Sequence, residues 1–348
     1  MTRFIVPPYL LAHLAAAESP RLHRAPRAAR NGLLAMSGVD RNAAPPVVRS
    51  AVDAPGRADG LDRSISDAEG AEELPGRRVR DEGGPATGDV AADEAYDALG
   101  ATYALFDEVY GRSSIDGRGL PLDATVHYGR DYDNAFWNGE RMVFGDGDGE
   151  VFGRFTASVS VIGHELAHGF TQYTANLVYQ GQSGALNESV SDVFGALVEQ
   201  HLFRQTADEA TWLIGEGLFL PDVQGRALRS MSAPGTAYDD DVLGRDPQPA
   251  HLDDYVDTTD DDGGVHLNSG IPNRAFFLTA QALGGFAWER AGRIWFDSLT
   301  GGGLPPTATF AVFAAATVTA AEARYGVDSS EAAATISGWR GVGVEPVA

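Results

Sequence analysis

Long segments with helical spacing of apolar residues dominate the second half of the chain. Apolar side chains recur there every three or four positions, which places them on one face of an α-helix. The spacing predicts helices at about 156–173, 185–203, 272–285, 288–299, 307–325 and 330–339. The carboxy-terminal half is therefore expected to be mostly α-helical.

The first half is more mixed. Residues 93–109 have helical spacing, whereas 125–128 and 141–144 are short runs that favour β-strands. Residues from about 18 to 95 are rich in Ala, Arg, Pro, Gly and Asp, with few large apolar side chains and no sustained period. We interpret this stretch as a linker or extended pro-segment without a core, and expect ordered sequence to begin near Val90.

Length and composition indicate the number of domains and argue against some classes of partner. A chain of 348 residues with 43% hydrophobic residues can bury a large core, and two domains plus an extension are expected. It has no cysteine, so any zinc site must use His, Glu or Asp. The net charge of −23, with arginine as the only basic residue besides histidine, argues against nucleic acid or an anionic membrane as a partner.

Targeting signals are weak. No run of about eighteen apolar residues is present, so no transmembrane helix is expected. The apolar start at 4–11 is interrupted by a proline pair and preceded by one arginine only, which is unlike a standard signal peptide.

The sequence His-Glu-Leu-Ala-His at 164–168 carries the main chemical signal. Residues four apart share a helix face, so His164 and His168 can bind one zinc ion with Glu165 beside its open position. Surface helices also carry such residues without a metal, so the zinc interpretation of this motif depends on other residues of the sequence. Those residues include Glu188, twenty residues after His168.

Four motifs together resemble the thermolysin-like family of zinc metalloendopeptidases, from about residue 79 to the end. They are HELAH at 164–168, GALNESVSD at 184–192, NAFWNG at 134–139 and GGVHLNSG at 263–270. The resemblance implies an α+β fold of two domains, a β-rich amino-terminal one and a mostly helical carboxy-terminal one, with zinc in the cleft between them. Pro7-Pro8-Tyr9 further resembles a motif of protealysin-type precursors.

This resemblance implies a domain division and an autoinhibited precursor. An inhibitory pro-segment would span 1–50, a linker with the processing site 51–78, the β-rich catalytic domain 79–180 and the helical catalytic domain 181–348. The stiff stretch 7–10 could occupy the extended substrate groove, or merely cover an apolar patch. Cleavage is expected between about residues 40 and 78. The basic stretch at 77–80 is either a site for a basic-specific protease or a run of solvated charges.

The implied zinc ligands are His164, His168 and Glu188, with water in the fourth position and Glu165 as general base. Other members of the implied site support the reaction. Tyr179 and His266 would stabilise the oxyanion, Asp261 would orient His266, and Asp192 and Asn187 would hold His164 and His168.

The same resemblance implies how substrate binds. Asn134 and Ala135 would pair with an extended peptide, and Arg229 would hold a substrate carbonyl. The pocket for the residue after the scissile bond would be lined by Phe152, Phe155, Val161, Ile214 and Leu228. These side chains are apolar, so cleavage before Leu, Phe, Ile or Val is expected; as scattered apolar residues they could otherwise be plain core.

The family's calcium sites are depleted. Its paired-calcium positions read Ser160, Glu199, Thr211, Leu213 and Glu216 here, and Arg226 replaces an aspartate of another calcium loop. Two glutamates are too few for a cation that takes six to eight oxygens. We expect no tightly bound structural calcium, and lower heat resistance than thermolysin unless packing compensates.

The sequence thus predicts a zinc-dependent endopeptidase with protein and peptide substrates and its own pro-segment as partner, and without nucleic acid or membrane partners. The alternatives are a latent zinc-binding regulatory protein that does not turn over, or an aminopeptidase built on the same helix. Secretion is implied by the family, without a standard signal peptide; cytoplasmic retention is the alternative.

Overall fold

A six-stranded sheet forms the first layer of the molecule. The computed structural model describes residues 3–37 and 60–346. The strands lie in the order β1-β5-β6-β4-β2-β3, with β4 parallel to both β2 and β6 and the other pairs antiparallel. They span Arg3–Phe4 (β1), Arg63–Asp67 (β2), Arg77–Asp81 (β3), Leu122–Val126 (β4), Ala135–Trp137 (β5) and Met142–Phe144 (β6).

Most of the remaining regular secondary structure is helical. They span Pro8–Ala16 (α1), Ala25–Ser37 (α2), Val90–Ala104 (α3), Val159–Gln172 (α4), Gly181–Phe203 (α5), Asp261–Asn268 (α6), Gly270–Leu283 (α7), Ala291–Thr300 (α8), Phe310–Tyr325 (α9) and Ser330–Arg340 (α10). Two short hairpins pair Leu213–Ile214 (β7) with Arg229–Ser230 (β8), and Asp239–Asp240 (β9) with Gly244–Arg245 (β10). The helices predicted from apolar spacing are confirmed, with ends shifted by a few residues.

Helices α4 and α5 approach each other closely, and both carry predicted site residues. Gly195 of α5 has no room for a side chain, because a Cβ there would overlap the Ser160 carbonyl oxygen of α4. A Cβ on Gly163 would lie 3.0 Å from the Gly195 Cα. Glycine at both positions therefore lets the two helix backbones meet where the site residues lie.

The interpretation of residues 18–95 as a linker without a core is wrong for three stretches. Helix α2 and strands β2 and β3 all fall inside it, and β2 and β3 lie within or at the edge of the predicted 51–78 linker. Strand β2 is an interior strand of the sheet although Ile65 is its only large apolar residue. Because the buried residues Ser64 and Ser66 are polar, the sequence of β2 shows no alternation of apolar and polar residues. The strand could therefore not be predicted from apolar periodicity.

Residues 4–14 pack against the rest of the protein through apolar side chains. Phe4, Ile5, Val6, Leu10, Leu11 and Leu14 are buried and belong to the same apolar cluster as the site helices. In the parts of the chain that the structure describes, no helix is both long and apolar enough to cross a lipid bilayer.

Candidate active site

Two helices bring together three buried groups that can hold a metal ion. Helix α4 supplies His164 and His168, one turn apart, and α5 supplies Glu188; one ligand atom from each lies within 4.8 Å of the others. His164 Nε2, His168 Nε2 and Glu188 Oε2 are buried without a hydrogen-bond partner within the described residues. Buried polar atoms without partners are costly, and a bound cation would satisfy all three.

The other ring nitrogen of each histidine is held by a neighbour on α5. His164 Nδ1 donates to Asp192 Oδ1 at 2.7 Å, and His168 Nδ1 donates to Asn187 Oδ1 at 2.8 Å. Ser191 Oγ lies 3.0 Å from His168 Nδ1. These bonds leave both Nε2 atoms with a lone pair aimed at Glu188, the tautomer that a metal ligand needs. Burial, followed by the nearby His164, lowers the pKa of His168 well below its usual range, which also favours the neutral ring.

Asp192 links this cluster to a buried arginine. Arg229 donates from Nε and Nη2 to the two Asp192 oxygens at 2.9 and 2.8 Å, and Asn273 Nδ2 donates at 2.8 Å. Burial opposes ionisation of Asp192, but the charge of Arg229, together with the adjacent His164 and the hydrogen bonds from both side chains, outweighs it and holds its pKa well below the ordinary value. The carboxylate is therefore ionised and its position is fixed from three sides.

A third histidine approaches the cluster from α6. His266 Nδ1 donates to Asp261 Oδ1 at 2.6 Å, and the His266 backbone N–H donates to Asp261 Oδ2 at 2.8 Å. Residues 261–264 all have positive φ, which turns the chain sharply and presents His266 to the cleft. Burial lowers the pKa of His266, but Asp261 and Glu188 raise it to about 9, so both ring nitrogens carry protons at neutral pH.

Tyr179 and Glu165 complete the group. The Tyr179 hydroxyl donates to Glu188 and lies 3.4 Å from His266 Nε2. Glu165 is fully buried, and its Oε2 accepts a hydrogen bond from the Trp137 backbone N–H at 2.9 Å. Burial, with the nearby Glu188 charge, raises the pKa of Glu165 well above its ordinary value. A carboxyl in this environment readily takes up a proton.

The cleft is occupied by the chain's own residues 3–6. Strand β1 pairs antiparallel with β5, which places Phe4 opposite Phe136. The Ile5 N–H donates to Ala135 O at 3.2 Å, Arg229 Nη1 donates to Ile5 O at 3.0 Å, and the Val6 N–H donates to Asn134 Oδ1 at 3.1 Å. His266 Nε2 donates to Phe4 O at 3.1 Å. Every predicted polar peptide-binding group thus contacts this segment.

The five predicted pocket residues are all buried. Phe152, Phe155, Val161, Ile214 and Leu228 are at most 1% exposed. The Phe152 and Phe155 rings lie 5.6 Å apart, and the Leu228 N–H donates to Ile214 O at 2.9 Å. The expectation that 7–10 occupies the groove in extended form is wrong. Pro8 begins helix α1, and the extended peptide in the groove is the stretch just before it.

Sequence reasoning missed several contributing groups. Ser191 and Asn273 contact the histidine–aspartate network, and Trp137 contributes only its backbone N–H. Trp137 and Ser191 lie inside the motifs at 134–139 and 184–192, which is the one signal that could have drawn attention to them. A backbone donor or a lone asparagine on another helix has no local signature.

Models of two protein domains match most of the chain. A model described as the thermolysin metallopeptidase catalytic domain matches residues 63–172, and one described as the thermolysin metallopeptidase alpha-helical domain matches 175–344. The first match begins at strand β2, and the second begins between α4 and α5.

Individual proteins agree with these matches. The chain is 56% identical over 283 residues to an extracellular metalloprotease of Pectobacterium carotovorum subsp. carotovorum, covering 81% of each. It is 42% identical over 263 residues to a thermolysin of Alicyclobacillus acidocaldarius subsp. acidocaldarius, covering 74% of this chain and 46% of that protein. The solved structure of the precursor of protealysin, a metalloproteinase from Serratia proteamaculans, superposes with a TM-score of 0.88 at 52% identity, covering 98% of this chain and 99% of that one.

Proposed function

This chain belongs to the thermolysin metallopeptidase family, and from that premise we propose that it is a zinc-dependent endopeptidase made as a self-inhibited precursor. One observation supports the proposal most directly. Residues 3–6, of which Arg3 and Phe4 form a strand, lie across the buried His164, His168 and Glu188 group and bond to Ala135, Asn134, Arg229 and His266. A peptide substrate would use the same donors and acceptors.

In the proposed reaction His164, His168 and Glu188 hold the zinc ion. Bound zinc would lower the pKa of a coordinated water and polarise the substrate carbonyl. Glu165 takes the proton from the attacking water as a carbon–oxygen bond forms at the peptide carbonyl. It returns the proton to the leaving amine when the carbon–nitrogen bond breaks. The raised pKa of Glu165 suits it to hold that proton between the two steps.

Tyr179 and His266 are proposed to stabilise the oxyanion. The Phe4 carbonyl oxygen already accepts a hydrogen bond from His266 Nε2, and the Tyr179 hydroxyl lies 3.4 Å from the same nitrogen. A donor aimed at a developing oxyanion is typically worth about 3 kcal/mol. Asp261 keeps His266 protonated and oriented, because it raises the pKa of that ring against the effect of burial.

We infer a preference for a bulky apolar residue after the scissile bond. In the position of that residue lies Ile5, whose N–H bonds to Ala135 O and whose carbonyl bonds to Arg229. The residues predicted to line this pocket are apolar and buried, and Ile5 itself is fully buried, so Leu, Phe, Ile and Val are the side chains that gain most from burial there.

We propose that the pro-segment covers the amino-terminal part of the chain up to a cut before Arg63. Of the predicted cleavage window at 40–78, residues 40–59 lie outside the described residues. Strands β2 and β3 lie in its later part and are paired in the sheet, so a cut within them would require the sheet to open. Relatives named as extracellular metalloproteases support secretion of this protein too.

Intact-mass analysis of wild type and Glu165→Ala after incubation with zinc tests the function. An end-blocked peptide containing a Gly-Leu bond is included in the same tubes. We expect wild type alone to lose its amino-terminal segment and to cut the peptide at that bond. An aminopeptidase would leave the blocked peptide whole. If both proteins stay full length and inactive with zinc bound, the latent regulatory form is the better account.

A further inference from the structure

We propose that the cleft has a subsite for an arginine side chain at the residue before the one whose carbonyl is attacked. The enzyme would then favour peptides of the form Arg-hydrophobic-hydrophobic, cut between the two hydrophobic residues. This inference rests on the proposed endopeptidase function and adds a second specificity determinant to it. It uses a part of the cleft separate from the apolar pocket that holds Ile5.

The hydrogen bonds of residues 3–6 fix which subsite each residue occupies. His266 Nε2 donates to the Phe4 carbonyl, and Arg229 donates to the Ile5 carbonyl. The Ile5 N–H donates to Ala135 O. The Phe4–Ile5 peptide bond therefore takes the place of the bond to be cut, and Arg3 occupies the position just before Phe4.

Arg3 lies in an enclosed space although it carries a charge. The residue is only 2% exposed, and its guanidinium carbon lies 3.9 Å from the centre of the Tyr179 ring, over its face. A guanidinium is attracted to the face of an aromatic ring, more strongly where water is excluded. Tyr179 thus offers a surface that discriminates a flat cation from a neutral side chain of similar shape.

The rest of this space is polar and nearly full. About 10 Å³ of free volume remains beside Arg3, between Trp137, Gln172, Asn176 and Asn187. The Gln172 amide nitrogen is buried and has no hydrogen-bond partner among the described residues. A space this small holds at most about one further water, so the arginine side chain itself supplies most of the filling.

Charge in the surroundings favours a cation. The chain as a whole carries a net charge of −23, which favours the approach of basic peptides.

A set of matched peptides separates charge from shape. The probes are end-blocked Gly-X-Phe-Ile-Val peptides, where X is arginine, its uncharged isostere citrulline, or glutamate. They are offered to the zinc-loaded protein from which the amino-terminal segment has been removed. We expect cleavage at Phe-Ile with kcat/KM about tenfold higher for arginine than for citrulline, and lower still for glutamate.

Two variants of one residue test the location of the subsite. Gln172→Glu places a carboxylate in the lining of the space that Arg3 also lines and should raise the arginine-to-citrulline ratio of kcat/KM, whereas Gln172→Lys should lower it towards one. Because both peptides are measured on the same sample, the ratio is independent of how much of each variant is folded.

Equal kcat/KM for the arginine and citrulline peptides would overturn the subsite while leaving the endopeptidase intact, because both peptides would still be cut. An unchanged ratio in both Gln172 variants would overturn its assignment to this space. Failure of the zinc-loaded protein to cut any of the peptides would instead overturn the proposed function.

Discussion

At the residue scale, Asp192 connects three groups that perform different tasks. It accepts hydrogen bonds from the proposed zinc ligand His164, from Arg229, which also bonds the Ile5 carbonyl, and from Asn273. All four side chains are buried, so water cannot replace any of these contacts. The charge of Asp192 is therefore needed both for zinc affinity and to compensate Arg229.

Asp192→Asn keeps the shape of this side chain and removes its charge. We expect zinc affinity to fall about 10- to 100-fold, because the orientation and basicity of His164 depend on the carboxylate. We also expect the free energy of unfolding to fall by about 3 kcal/mol, because Arg229 is left as a buried charge without its partner. Competition with a chromophoric zinc chelator and urea unfolding measure the two effects.

The same substitution at a surface ion pair is the control. Asp297 pairs with Arg324 in a position partly open to water, and Asp297→Asn should cost less than about 1 kcal/mol with zinc affinity unchanged. Equal losses for the two variants would contradict the role assigned to Asp192.

At the element scale, the amino terminus of helix α2 is held by one carboxylate of the catalytic part. Glu150 Oε2 accepts from the backbone N–H groups of His23, Arg24 and Ala25 at 2.9, 2.8 and 3.1 Å. Desolvation acts to raise the pKa of Glu150, but these backbone donors lower it overall. The free N–H groups of a helix start and its dipole both favour an anion here.

Glu150→Gln keeps an acceptor and removes the charge. We expect a synthetic peptide of residues 1–37 to inhibit the processed enzyme less well, with an inhibition constant up to about tenfold higher than for wild type. Glu140→Gln, on the exposed turn between β5 and β6, is the matched control and should leave inhibition unchanged. Equal inhibition of all three proteins would show that the charge of Glu150 contributes nothing to the inhibitor's affinity.

Two positions of the family's depleted calcium sites lie on the packed helices α4 and α5. They are Ser160 and Glu199. Burial raises the pKa of Glu199 on α5 to about 7, with a hydrogen bond from Ser160 acting against this and Glu216 adding to it. The folded-state pKa thus exceeds the unfolded value of about 4.3. The stabilisation from a protonated Glu199 is complete below that unfolded value and is lost as the pH rises through about 7.

Glu199→Gln mimics the protonated form at every pH. We expect it to raise the free energy of unfolding by about 1–2 kcal/mol at pH 8, and to change it little at about pH 4 to 5. Urea unfolding at these pH values checks the sign. If added calcium stabilises wild type at pH 8 but not Glu199→Gln, the expectation of no tight calcium site here is wrong.

At the scale of the whole molecule, the proposed zinc ligands come from two packed helices at the floor of a cleft that the amino-terminal segment fills. His164 and His168 come from α4 and Glu188 from α5. A metal bound by the folded state alone stabilises it by mass action, by about 4 kcal/mol at a thousandfold excess over Kd.

Removing zinc with a chelator should therefore lower Tm by several degrees in wild type and in Glu165→Ala, which keeps all three ligands. Glu188→Ala should start at the lower Tm and respond little to chelator or added zinc. Differential scanning calorimetry at fixed protein concentration makes the comparison. Tight zinc binding by Glu188→Ala would overturn the ligand assignment.

The sequence alone determined the helical half and the local chemistry of the metal site. Apolar periodicity is a local property, and residues 164 and 168 share a face of any helix that contains them. Only the tertiary structure decided that β2 joins the sheet and that residues 3–6, rather than 7–10, fill the cleft. Ile5 contacts Ala135 and Arg229 across more than a hundred residues of chain, and Ser64 is buried through its neighbours in the sheet. Such pairings depend on register and packing between distant segments, which no local pattern of side chains encodes.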